Sequence, residues 1–102
     1  MTMEITKTVD AGNTSLALSG RLDTLTSSEL AKELEDVFAA NVENLVFDFA
    51  ALDYVSSAGL RVLLSAQKKV SSSGAMMKIV GANENIKEIF EITGFSTILT
   101  IE

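Results

Sequence analysis

Apolar residues recur along this chain with two different periods, and the places where the period changes mark out its elements. The opening stretch Met3 to Val9 alternates weakly. Ser15-Leu-Ala-Leu-Ser19 sets Leu16 and Leu18 on one face, and the turn-prone Asp10-Ala-Gly-Asn13 lies between the two stretches, a spacing that predicts a β-hairpin. From Thr26 the period lengthens: Leu30, Leu34, Val37 and Phe38 fall at i, i+4, i+7 and i+8, which predicts a helix from about Ser27 to Ala40. Thr26-Ser-Ser-Glu29 has the form of a capping box at its start.

Leu45-Val-Phe-Asp-Phe49 is short and rich in β-formers, so it predicts a strand at the centre of the sheet, followed by a loop to Ser56-Ser57. Leu60, Leu63, Leu64 and Val70 then trace the stripe of a second helix. It ends in Ser71-Ser-Ser-Gly74, where the glycine suits the left-handed residue after a helix. Met76-Met-Lys-Ile-Val80 predicts another strand, its methionine pair filling the core. Asn83 suits the cap of a short helix whose Ile86, Ile89 and Phe90 face inward before Gly94, and Phe95 to Ile101 either adds a final strand or covers the sheet. The order β-β-α-β-α-β-α-β, with helices as crossovers, predicts one α/β domain over residues 1–102: a mixed sheet with parallel core strands covered by helices.

Composition narrows what such a domain does. Its 102 residues suffice for one core, and their 47% apolar and 22% charged content is that of an ordinary globular protein. A formal charge of −6, from 8 basic and 14 acidic residues, repels nucleic-acid phosphates and anionic bilayers, so neither nucleic acid nor direct membrane binding is expected. The start Met1-Thr-Met-Glu-Ile-Thr-Lys shows neither a basic segment nor an apolar run of a leader, and a cytoplasmic protein is expected. Without Cys or His, thiol nucleophiles, disulfides and imidazole bases are excluded, and no metal or cofactor is expected.

The chemistry concentrates in Leu52-Asp-Tyr-Val-Ser-Ser-Ala-Gly-Leu-Arg61, where two hydroxyls and a glycine stand at the handover from strand to helix. Free amides and the positive end of the helix dipole favour negative charge there. On the residues alone, Ser56 or Ser57 is equally well an N-cap, and Gly59 a point of close packing. Asp23 either starts a turn or meets a partner's basic residue, and Thr26 caps the first helix. Asp53, Tyr54 and Arg61 flank the serines and are candidates for a contact surface.

Tyr54-Val-Ser-Ser-Ala-Gly-Leu-Arg-Val-Leu-Leu64 resembles the signature of STAS domains, the family of bacterial anti-sigma factor antagonists. Gly20-Arg-Leu-Asp-Thr-Leu-Thr26 is similar to the family's segment between second strand and first helix, and Ile89-Phe-Glu-Ile-Thr-Gly-Phe95 to its closing motif. The resemblance implies a non-enzymatic switch. The unmodified protein binds an anti-sigma factor that is also a serine kinase, freeing a sigma factor; phosphorylation then ends the binding, and a PP2C-type serine phosphatase restores it. The acceptor position maps to Ser57, with Ser56 as the alternative, and the partner surface to Asp23, Thr26, Asp53, Tyr54, Ser56, Ala58, Gly59 and Arg61. Ser56 stands where the family's best-known pattern has Asp, and Ala58 follows the acceptor. Three other uses remain open: a docking subunit of another signalling or lipid-transport complex, a small-ligand binder, and a serine enzyme, the last lacking a base beside the serine.

Overall fold

The computed structural model describes residues 3–102; Met1 and Thr2, on which part of the expectation about the chain's start falls, lie outside the described residues. Strands β1 (Met3–Asp10) and β2 (Asn13–Leu22) form the expected antiparallel hairpin. Its two turn residues, Ala11 and Gly12, both have positive φ, the geometry of a tight turn whose twist matches the strands. Helix α1 (Thr26–Ala39) leads to β3 (Asn44–Val55), α2 (Ser57–Ser73), β4 (Met76–Val80) and α3 (Glu84–Ile92), and a single 3-10 turn covers Phe95–Thr97. The sheet order is β1-β2-β3-β4; β2 and β3 run parallel, as do β3 and β4, each joined by a helical crossover.

Leu16, Leu18, Leu45, Phe47, Phe49, Met77 and Ile79 form the covered face of the sheet. They share one core with Leu30, Leu34 and Val37 of α1, Leu63, Ala66 and Val70 of α2, and Ile86 and Phe90 of α3. The period-3.6 stripes read in the sequence are the faces that the helices bury. Gly74 (φ 80°) ends α2 and Gly94 (φ 81°) follows α3, while the Asn83 side chain accepts a hydrogen bond from the Ile86 amide at 2.9 Å.

Four expectations change in detail. The expected final strand is reduced to a single parallel bridge, Ile79 to Ile101, because the preceding residues wind into the 3-10 turn. The central strand extends to Val55 where a loop was expected after Phe49. Of the methionine pair, Met77 is buried and Met76 is 69% exposed, as strand alternation requires. The capping box does not form either. Leu25 occupies the N-cap position without a side-chain bond, Thr26 is already inside the first turn, and Glu29 is exposed.

Candidate functional site

The carboxyl ends of the neighbouring parallel strands β2 and β3 lie in register, Leu22 beside Val55, so the segments that follow them emerge at one end of the sheet. Ser56 leaves β3 in extended conformation (φ −88°, ψ 172°) and its Oγ accepts a hydrogen bond from the Gly59 amide at 3.2 Å. The Ser56 amide donates to the Leu22 carbonyl at 2.8 Å, which ties the handover to β2. Ser56 is therefore the N-cap of α2, its hydroxyl engaged in satisfying the first turn. Ser57 is the first residue inside the helix, and it is exposed.

Gly59 is buried between these parts. A Cβ there would fall 2.7 Å from Leu22 Cγ and 3.1 Å from the Leu22 carbonyl oxygen, so only hydrogen fits. The glycine lets the first turn of α2 press onto the end of β2, which holds Ser57 at the rim.

On the adjoining loop, Asp23 Oδ1 accepts from the amides of Leu25 and Thr26, each at 3.0 Å. It thus performs the service that the sequence assigned to Thr26. The bond from the Thr26 amide, with further bonds from the Thr26 hydroxyl and the Leu25 amide and the charge of Arg21, holds the Asp23 carboxyl below its ordinary pKa. The buried Thr26 hydroxyl faces back into the loop, accepting from the Asp23 amide at 2.8 Å and donating to the Arg21 carbonyl at 2.7 Å.

The structure adds Arg21 to the residues read from the sequence. Its guanidinium carbon lies 4.2 Å from the centroid of the Tyr54 ring, across the paired positions of β2 and β3. That pairing depends on strand register between residues far apart in sequence, and inspecting the two motifs separately does not reveal it. Tyr54 is 36% exposed and Leu25, on the neighbouring loop, is 78% exposed. Asp53 is exposed on the same strand end, whereas Ala58 and Arg61 line a groove between α1 and α2. The sequence-predicted residues thus divide. Asp23, Tyr54, Ser56 and Ser57 belong to the segments at the strand ends, Thr26 and Gly59 are buried supports, and Ala58 and Arg61 turn toward the helices.

Among the described residues there is no cluster of acidic side chains suited to a metal ion, and no helix is long and apolar enough to cross a membrane. The STAS family profile matches residues 3–102, and the chain belongs to that family. It is 34% identical over 84 residues to BtrV of Bordetella bronchiseptica, assigned as an anti-sigma factor antagonist, covering 78% of this chain and 72% of that one. An anti-sigma factor antagonist from Mycobacterium paratuberculosis superposes with a TM-score of 0.87 at 20% identity, over 97% of this chain and 84% of its own. The Bacillus antagonist SpoIIAA in its unphosphorylated form superposes at 0.84 and 12% identity, over 97% and 88% of the two chains. At these identities the two structures establish the fold alone.

Proposed function

We propose that the chain is an anti-sigma factor antagonist working by partner switching in the cytoplasm. Unphosphorylated, it binds an anti-sigma factor that is a serine kinase and so releases a sigma factor. Phosphorylation of Ser57 ends that binding, and a PP2C-type serine phosphatase reverses it. The protein acts as an adaptor and catalyses nothing itself.

The observation that carries this reading is the division of labour between the two serines. Ser56 spends its hydroxyl on the Gly59 amide, while Ser57 stands exposed at N1 of α2. A phosphate on Ser57 meets the positive end of a helix of 17 residues and costs the fold little. A phosphate on Ser56 would displace a cap. Relatives named as anti-sigma factor antagonists support an anti-sigma factor as the partner. Asp23, Asp53 and Tyr54 then form the surface around the acceptor, with Arg21 and Leu25 beside them.

Native capture with wild-type protein and Ser57→Asp tests the reading. A serine kinase retained by wild type and lost with Ser57→Asp, which on addition of Mg-ATP places one phosphate on Ser57 by peptide mass spectrometry, supports it. Phosphate on Ser56, or identical partners for both proteins, overturns it.

A further inference from the structure

Helices α1 and α2 pack side by side over the sheet. Between α1 and α2 runs an open groove of about 810 Å³, floored by Ala31, Leu34 and Phe38 from one side and Val62 and Ala66 from the other. Its walls carry opposite charge. Helix α2 holds Arg61, Lys68 and Lys69 and no acidic residue, although the whole chain has 14 acids and only 8 bases. Of the charged residues that line the groove itself, Arg61 and Lys69 stand on α2 and Glu35 on α1. Among the described residues the ion pairs are Lys7 with Glu33 and Lys78 with Glu102, and neither uses the groove's own Arg61, Lys69 or Glu35.

Arg61, Ser65 and Lys69 follow at i, i+4 and i+8, so they form one line along the α2 wall, and its two cations stand about 12 Å apart by helix rise. From Ala58 to Lys69 the groove is about three helical turns long. We propose that it docks an amphipathic helix of a partner protein. That helix has an apolar stripe on the floor, acidic residues seven or eight apart along the flank facing α2, and a basic residue on the flank facing Glu35. Apolar residues at i, i+4 and i+7 match a groove of this length, and opposite charges on the two walls fix one orientation of the helix. A fatty acid brings one carboxylate, which answers one of the two cations and leaves Glu35 without a counterpart. The net charge of −6 repels an acidic partner only weakly at this face, since screening at physiological salt acts within about 8 Å. The groove begins beside the Ser57 acceptor and shares Arg61 with it, so phosphate on Ser57 should weaken the docking, while docking to the unmodified protein is expected even if Ser57 accepts no phosphate.

The test uses a helix-stapled peptide of about 14 residues built to that pattern, titrated into isotope-labelled protein and followed by amide chemical shifts. Saturable shifts confined to residues 27–39 and 58–69 are expected. Arg61→Glu combined with Lys69→Glu should weaken binding at least tenfold with an unchanged thermal melt, both side chains being exposed. A peptide with lysines in place of its glutamates should recover the loss on that variant alone. Should the double variant melt early, Arg61→Gln with Lys69→Gln replaces it, with a smaller loss expected. Absence of saturable shifts, shifts centred elsewhere, or an affinity indifferent to charge reversal overturns the proposal. So does palmitate displacing the peptide from the wild-type groove, or wild-type protein dimerising through these helices in sedimentation.

Discussion

The Ser56 hydroxyl accepts the Gly59 amide at 3.2 Å, so the residue before the exposed Ser57 is the one that starts the helix. Replacing an N-cap serine by alanine costs about 1 kcal/mol, which in a domain of this size lowers the melting temperature by roughly 4–8 °C. Ser56→Ala should show that loss and still accept phosphate on Ser57. Ser57→Ala, which removes no cap, should melt within a degree or two of wild type. Equal melts for the two variants in calorimetry would count against this assignment of the cap.

Gly59→Ala should be the more damaging change. Its Cβ would meet Leu22 Cγ at 2.7 Å and the Leu22 carbonyl at 3.1 Å, and Leu22 is wholly buried with no room to yield. Overpacking of this kind costs about 1–3 kcal/mol. The same carbonyl accepts the Ser56 amide, so any relief moves the serine pair as well. A urea midpoint lower than that of Ser56→Ala, with amide shifts moving at residues 20–23 and 55–60, is the expected result. A midpoint equal to wild type would mean that the close approach is relieved at no cost.

Much of this arrangement is legible in the sequence, and the parts that are not share a cause. The stripes of α1, α2 and α3 appear because a helix face repeats within a few residues, and Gly74, Asn83 and Gly94 announce their ends locally. The far half of β3 is hidden because its alternation breaks. Ala50 and Ala51 are both exposed, and Leu52 and Val55 stand three apart, because β3 carries one extra residue at each of two register shifts, opposite Ala17 to Ser19 and opposite Gly20 to Arg21 of β2. Arg21 over Tyr54, and Gly59 beneath Leu22, depend on that same register. Thr26-Ser-Ser-Glu29 has the local form of a capping box. Asp23 takes the role because the chain turns back on the Thr26 hydroxyl, which the Arg21 carbonyl already occupies.

Asp23 makes part of the stability depend on pH. Its folded pKa lies below the ordinary 3.8, chiefly because the Thr26 amide donates to the carboxylate. A depressed carboxyl contributes stability that is fully present above its unfolded pKa and is lost as pH falls through the lower folded value. Asp23→Asn keeps an acceptor oxygen and removes the charge, so its stability deficit relative to wild type should be greatest above about pH 5 and shrink below the unfolded pKa. Melts of both proteins from pH 7 downward check this. A deficit that grows on acidification would contradict the sign.

Phosphorylation of Ser57 should change affinity far more than stability. A phosphoserine carries about −1.5 to −2 charges, and buried unpaired in an apolar contact it would cost several kcal/mol. Each 1.4 kcal/mol is tenfold in affinity, so a loss of at least a hundredfold for the kinase is expected. Within the free protein the same charge meets the first-turn amides of α2 and the positive end of its dipole. Arg61 stands four residues further along the helix, on the spacing at which opposite charges pair, which makes the modified helix start neutral or slightly favoured. Phosphorylated protein should therefore melt within a few degrees of the unmodified form, with shifted amides confined to residues 54–64. Arg61→Gln should lower the melt of the phosphorylated form more than that of the unmodified form. A melt many degrees lower on phosphorylation, or shifts spread across the sheet, would mean that the switch works by rearranging the fold and that local charge is not its cause.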